Sequence, residues 1–494
     1  MKISKGWSMI VSIVLAAGEG TRMKSDLPKV LHRIAGKPLV DYVIRSAKEA
    51  GAEETVVVIG HKADLVNEEL KNKGVVIRKQ PMSADVTYGT GFAVMQSLDC
   101  FKDDDVVVIL TGDTPLITAD TLKNFINFHQ NNGYEACVLT ANLKDPTGYG
   151  RIVRRENSSI GKIVEEKDAT IKEKAIQEVN SGIFTFQGRA LRNALTYLET
   201  DNAQGELYLT DVIKILNEKG HKVGGYTLKD ANEMLGINSR IQLAHVDSLI
   251  RKRINERHME NGVSFMDPGS TIVEDDVEIG QDTIIYPGVV LSGKTKIGSH
   301  CVLYGSTRVV DSTVGDHVIL DNVLIEESIV HNHVKLGPYA HLRPKSEIKD
   351  HVKIGNFVEV KNASLGEGTK AGHLAYIGDA SVGDDVNIGC GTIFVNYNGL
   401  EKFHTNVGDH AFIGSNSNLV APVEVEDYGY IAAGSTITKK VEEGQLAIER
   451  GKQKNIDHWS ERMGMKKDEG VQKWVKIMEI SSYLQEIQMI PWWN

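Results

Sequence analysis

Positive charge is in short supply in this chain. Lys and Arg number 56 against 66 Asp and Glu, a net charge of −10, so bulk electrostatics argue against a nucleic-acid or membrane-surface binder and leave only local phosphate sites. Cysteine is also scarce. Cys100, Cys137, Cys301 and Cys390 lie far apart with no CxxC pair, which argues against a zinc site and a disulfide framework and points to a reducing compartment, the cytoplasm. No stretch approaches the ~20 apolar residues a membrane span requires, so no stable membrane insertion is expected. Lys2 and Lys5 precede an apolar run from Trp7 to Ala17 that imitates a signal peptide. That run leads into a glycine loop which cleavage would destroy, and it is read as a first strand.

Glycine, by contrast, is plentiful, with 47 in 494 residues, and an aliphatic residue returns every sixth position at Val273, Ile279, Ile285, Leu291, Ile297, Leu303 and Val309. The period resumes at Leu336 through Val360 and again at Val407 through Ile437. Six fits neither a helix nor a strand alone, so it means a short strand and a turn repeated as a solenoid coil. About ten coils of ~18 residues are expected, stacking to ~45 Å. The repeat begins only after the midpoint, so two unlike domains are expected.

In the first half, apolar runs at 10–15, 55–59, 106–110 and 136–139 alternate with helical patterns at 39–50 and 121–130. This predicts an α/β domain with a mostly parallel sheet, whose ligands sit at the carboxyl ends of strands. After the first strand comes Leu15-Ala16-Ala-Gly18-Glu-Gly20-Thr-Arg22, then Pro28-Lys29. Glycines let backbone N–H groups approach a phosphate, and Arg22 and Lys29 supply positive charge. The spacing is neither that of a Walker loop nor of a dinucleotide fingerprint. Asp113, in Thr111-Gly-Asp-Thr-Pro115, either helps hold a hard cation beside phosphates or caps the next helix. Gly150, Glu165 and Asn180 stand in polar motifs at strand edges, suited to hydrogen-bonding a sugar.

The segments LAAGEGTRMKSDLPKVLH, GDTPL, DPTGYGRIV, IVEEKDA, VNSGIF, DNAQGE and LGIN closely resemble the bacterial bifunctional N-acetylglucosamine-1-phosphate uridyltransferase and glucosamine-1-phosphate N-acetyltransferase. The resemblance covers about residues 10–455. It implies a Rossmann-like nucleotidyltransferase domain over 8–238, a linker helix over 239–262 and a left-handed β-helix acetyltransferase domain over 263–455. For the first half it implies transfer of uridylyl from UTP to N-acetylglucosamine 1-phosphate. Arg22 and Lys29 would act on the phosphates, Asp113 and Asn238 would hold Mg²⁺, and Gln80, Gly89 and Thr90 would meet the uracil. Leu15, Ala16 and Gly18 would line the nucleotide site, and Gly150, Glu165 and Asn180 would bind the sugar.

For the solenoid, Arg343, Lys361, Tyr376 and Lys402 are cations and a phenol in an acidic chain, a set able to grip a sugar phosphate. His373 can take a proton near neutral pH, although a lone His is more often a plain surface residue. The resemblance makes His373 the general base, with Glu359 on a neighbouring coil to orient it. It assigns glucosamine 1-phosphate to Arg343, Lys361, Tyr376, Asn387 and Lys402, and acetyl-CoA to Asn396, Tyr397, Ser415, Ala433 and Arg450. It also implies a homotrimer with acetyl-CoA sites shared between subunits. The alternative is a single-activity sugar-phosphate nucleotidyltransferase with a structural β-helix.

Three departures from the family pattern stand out. Gln80 precedes Gly89 by nine residues where five is usual, so either a loop is inserted or Gln80 is not the base reader; Thr111 also stands where Tyr is common. Asn398 replaces a common Asp in Asn-Tyr-Asp-Gly. A tail over 456–494 with Trp459, Trp474, Trp492 and Trp493 extends the usual ending, as an interaction appendage or an unstructured extension, with an amphipathic helix expected over 471–480. The connecting helix over 240–259 places Arg251, Lys252, Arg253 and Arg257 between its apolar positions, and these charges are expected to face solvent.

Overall fold

The computed structural model describes residues 9–83 and 88–464. The expected helix over 471–480, with Trp474, Trp492 and Trp493, lies outside the described residues. In the first half nine strands form one sheet: β1 (Ile10–Ala16), β2 (Glu54–Ile59), β3 (Val76–Lys79), β4 (Val106–Thr111), β5 (Ala136–Asn142), β6 (Arg151–Arg154), β7 (Ile160–Val164), β8 (Glu178–Gln187) and β9 (Val223–Thr227). The main order is β9-β5-β8-β4-β1-β2-β3, with β6 and β7 attached beside β8. The continuous apolar runs of β1, β2 and β4 are buried on both sides, as parallel strands covered by helices must be.

In the main path the exception to parallel pairing is β8, which runs antiparallel between β4 and β5, and the attached β6 and β7 are antiparallel as well. Its register with β5 slips between Asn180 and Phe184. A bulge of this kind bends the strand and re-aims a side chain, and it falls on the Asn180-Ser-Gly182 motif. The Ser181 hydroxyl donates to the Leu139 carbonyl at 2.7 Å inside the irregularity.

The second half is a parallel β-helix in which each short strand pairs with the one a coil further on. One column reads Phe265, Ile285, Leu303, Leu320, Leu336, Ile354, Ala371, Ile388, Ile413, Ile431 and Ala447. Burying each full-sized aliphatic side chain in it stabilises the coil by about 1.5–3 kcal/mol. The six-residue period lapses in the sequence after Val309, yet the stack does not. Val309, Val314, Leu320, Ile325, Val330 and Leu336 are all buried, at steps of five or six, because some corners use one residue fewer.

Corners turn on left-handed residues, and His300, His317, His333 and His351 hold φ between 57 and 62°. Their rings stack with centroids 4.9 Å apart, close to the strand spacing that sets the coil rise. One coil is enlarged. Ile388 pairs with Ile413, 25 positions on, where Ile413 pairs with Ile431, 18 on. The excess leaves the coil after Asn396 and folds back on itself where Tyr397 bridges Lys402.

Helix Arg240–Glu260 joins the halves, started by Ser239, whose hydroxyl accepts from the Gln242 amide. Its buried Val246, Ile250 and Ile254 belong to one apolar cluster that also holds Leu39 and Tyr42 of the first half and the solenoid core. The charges on this helix do not simply face solvent. Arg253 donates to the Leu116 carbonyl at 2.7 Å, and Arg257 to the Asp275 carbonyl at 3.1 Å. The Asp275 carboxylate, in the first coil, is buried and takes Arg45 and Lys37 of the first half. Burial raises its proton affinity, but these two cations hold its pKa below the ordinary carboxylate value.

Candidate active sites

β1 and β4 end side by side, with Leu15 in register with Thr111. Their carboxyl ends open on a cavity of about 500 Å³. Leu15, Ala16, Gly18, Lys29, Gln80, Gly89, Thr90 and Asp113 all line it, so most of the nucleotide set read from the sequence comes together in space. Gln80 shares the cavity with Gly89 and Thr90 despite the longer intervening segment, of which residues 84–87 lie outside the described chain. Tyr88 and Met82 also line it and stood in no motif, and so does Glu206, which closes the DNAQGE segment but was given no role. Arg22 is exposed and does not line the cavity.

The two loop glycines have different uses. A Cβ on Gly18 would meet nothing, leaving the backbone open to a ligand, whereas one on left-handed Gly20 would fall 2.7 Å from Lys29 Cβ. Gly20 is therefore what lets Lys29 approach the loop. Lys29 Nζ pairs with the Asp113 carboxylate and donates to Asn238 Oδ1 at 3.2 Å. Asp113 and Asn238 thus turn two hard oxygens toward one cation, the donor chemistry that suits Mg²⁺ when phosphate and water complete its shell.

Next to this trio lies a second polar group. Asn180 N–H donates to the Gly150 carbonyl at 2.8 Å, and a Cβ on Gly150 would sit 3.3 Å from the Glu165 carboxylate. Glu165 accepts from the Thr210 hydroxyl at 3.1 Å. Burial raises its pKa, with Asp211 and Asp168 adding to the shift and Thr210 opposing it. Burial and then the Asp113 charge likewise raise the Tyr149 phenol, which ties this group to the Lys29 trio.

On the solenoid, register builds the second site. Leu342 pairs with Val360 and Val360 with Ile377, which sets Arg343 and Lys361 on one outer face with Glu359 and Tyr376 beside them. The Lys402 ammonium, and then the Arg343 charge, lower the pKa of Lys361. Three cations thus crowd one exposed spot, an arrangement that an anion relieves. Asn396, on the enlarged coil, donates to the Asp379 carboxylate and lies 3.4 Å from the Tyr376 hydroxyl. Asp379 was not anticipated from the sequence. Asn398 Oδ1 accepts the Leu400 and Glu401 amides at 2.9 Å, so it shapes the loop that carries Lys402.

Glu359 does not meet His373. It accepts from Arg343 at 2.9 Å and is in register with Tyr376, whereas His373 is in register with Asn356. The expected orienting contact is replaced by a salt bridge within the cation cluster, because Glu359 and His373 stand at different register positions of neighbouring strands. His373 is exposed. It leads a column of its own, since His373, Cys390, Ser415 and Ala433 each follow by two the registered residues Ala371, Ile388, Ile413 and Ile431. The Arg450 side chain reaches the end of that column, 3.7 Å from a Cβ on Gly434. Asn387 stands on a different outer face, in register with Lys370 and Phe412.

An α/β sheet with a phosphate loop, joined to a hexapeptide solenoid with a cationic face, defines a nucleotidyltransferase coupled to a second transferase. Residues 12–202 match the MobA-like NTP transferase domain, and residues 327–362 match the bacterial transferase hexapeptide family of six repeats. The chain is 51% identical over 458 residues to the bifunctional protein GlmU of Clostridioides difficile (strain 630), covering 93% of this chain and 99% of that protein. It is 50% identical over 457 residues to the bifunctional protein GlmU of Clostridium novyi (strain NT), covering 92% and 99%. The chain belongs to the bifunctional GlmU family.

Proposed function

We propose that this chain acetylates glucosamine 1-phosphate with acetyl-CoA on the solenoid and transfers uridylyl from UTP to the N-acetylated product in the α/β half. The product is UDP-N-acetylglucosamine, a precursor for cell-wall polymers. The observation that carries this reading is that one chain holds two separate polar clusters, Lys29, Asp113 and Asn238 at the sheet edge and Arg343, Lys361, Tyr376 and Lys402 on the solenoid. A structural solenoid attached to a single nucleotidyltransferase would have no use for the second.

In uridylyl transfer the sugar-phosphate oxygen attacks the α-phosphorus of UTP in line, and the bond to the pyrophosphate oxygen breaks. Lys29 and Arg22 offset charge that builds on the leaving group. Leu15, Ala16, Gly18, Gln80, Gly89 and Thr90 hold the nucleotide, and Gly150, Glu165 and Asn180 the sugar. Asp113 and Asn238 would hold Mg²⁺, which would supply positive charge beside the phosphates. Lys29 turns from these two oxygens to the phosphates when UTP is bound.

In acetyl transfer the aminosugar binds as a cation and must lose a proton, which His373 takes. The free amine attacks the thioester carbonyl, the C–S bond breaks and the thiol leaves as CoA. Arg343, Lys361, Tyr376 and Lys402 grip the sugar phosphate. Asn396 and Tyr397 flank it, and Ser415, Ala433 and Arg450 run along the edge where an extended acyl carrier arm lies, successive coils being ~4.8 Å apart. Asn387 faces away from this cluster within one chain. Its place on another face supports a homotrimer in which a second copy supplies it.

The domain division follows as 8–238, 239–262 and 263–455. Free Cys100, Cys137, Cys301 and Cys390 fit a cytoplasmic protein, and among the described residues no helix is long and apolar enough to cross a membrane. A paired assay tests the reading, with glucosamine 1-phosphate and acetyl-CoA in one tube and N-acetylglucosamine 1-phosphate, UTP and Mg²⁺ in the other. Turnover in both is expected; turnover in the second alone would favour the single-activity alternative.

A further inference from the structure

Two segments far apart in sequence meet at the uridylyl site, and two contacts join them. The first is Lys29 Nζ to Asn238 Oδ1 at 3.2 Å. The second links the His32 ring, three residues after Lys29, to Arg240, two residues after Asn238: Arg240 Nη1 lies 3.3 Å from His32 Nδ1. Arg can only donate, so Nδ1 accepts and the proton sits on Nε2. His32 is buried at 5% exposure, and its Nε2 is buried without a hydrogen-bond partner among the described residues. Burial and then the Arg240 charge lower the pKa of the ring, with the Leu27 backbone opposing them, so the net shift favours the form that accepts.

His32 is also locked to Lys29 through the main chain. Its N–H donates to the Lys29 carbonyl at 3.2 Å, closing the short turn Lys29–Leu31. Arg240 opens the linker helix, one residue beyond its N-cap Ser239. The two contacts are parallel rungs between the same two segments. On the reading above, the Lys29 rung must break when Lys29 turns to phosphate, and the His32 rung then remains to hold the segments in register.

We propose that His32 and Arg240 form a positioning pair that holds the Lys29 turn and the Asn238 segment in register while Lys29 serves phosphate during uridylyl transfer. Neither residue lines the cavity. The inference rests on the role of Lys29 proposed above. Because Lys29 acts on charge that develops in the transition state, misalignment lowers kcat more than it raises KM for UTP.

The test is steady-state kinetics of the full-length chain with His32→Leu, His32→Asn, Arg240→Met, the His32→Leu/Arg240→Met double variant and Lys29→Ala. His32→Leu and Arg240→Met should each lower uridylyl kcat about tenfold or more, with KM for UTP within about twofold, since small misplacements of a catalytic group are costly. His32→Asn, whose carboxamide oxygen can stand in for Nδ1 as acceptor, should recover most of the rate. The double variant should be no worse than the worse single one, as for residues acting as one unit. Acetyl transfer by the same molecules reports folding, and should His32→Leu lose it, exposed Arg240→Met decides alone. Unchanged kcat in Arg240→Met, or additive losses without rescue by Asn, would overturn the pair. Full uridylyl activity in Lys29→Ala would instead overturn the reading on which it rests.

Discussion

The two halves assemble their sites by opposite means. In the α/β half, Lys29 meets partners 84 and 209 positions away, brought together only by the crossings of the sheet and the start of the linker helix. On the solenoid, most neighbours in space are one coil apart in sequence, as Arg343 and Glu359 are at 16 positions. A coil makes adjacency a matter of counting; a doubly covered sheet does not. The first site should therefore respond to changes in distant segments, and the second, within one chain, mainly to changes in nearby coils.

The sharpest way to break this comparison is to remove one cation from the sheet edge. Lys29→Ala should lower uridylyl kcat by about a thousandfold, as expected when a charge aimed at a developing anion is lost, and leave acetyl transfer intact; pyrophosphate release and thiol release measure the two. On the solenoid, His373→Ala should lower acetyl transfer about a hundredfold or more, the usual worth of a general base, with uridylyl turnover unchanged. Gly20→Ala should be milder. The added Cβ meets Lys29, so uridylyl kcat should fall about tenfold, whereas Gly18→Ala, with open space around it, should matter mainly when a nucleotide is bound.

Two stability measurements sharpen the contrast further. Leu303→Ala in the solenoid core should cost about 2–5 kcal/mol, read by denaturant unfolding, without changing either turnover at 25 °C. In the α/β half, burial lowers the pKa of His129 to about 4. The unfolded chain, with an ordinary His near 6.5, takes up a proton that the folded chain refuses. Stability should thus fall as pH drops from about 6.5 to about 4, by up to about 3 kcal/mol from this group. His129→Phe should flatten that part of the profile, measured by thermal unfolding across pH 4–7.

How far the sequence could be read follows the same division. The aliphatic period exposes the solenoid core directly, because every coil repeats one geometry. It falters after Val309 only because five-residue steps enter, and a strict count of six cannot see through them. In the first half the strands and the phosphate loop are legible, but antiparallel β8 is not, since a buried run carries no mark of direction. Residues that contribute through place alone were missed, such as Tyr88 and Asp379. The pairing of Glu359 with Arg343 instead of His373 was hidden too, because sequence distance gives the coil but not which outward column a side chain joins.

The account stands most directly on one measurement: conversion of glucosamine 1-phosphate, acetyl-CoA and UTP to UDP-N-acetylglucosamine by His373→Ala and Asp113→Asn variants, alone and mixed. Each variant alone should stall, the first before acetylation and the second after it with N-acetylglucosamine 1-phosphate accumulating. The mixture should restore the full conversion. If either variant lost both partial reactions while remaining folded, or the mixture failed although each retained its own partial activity, the claim of two separate sites on one chain would be contradicted.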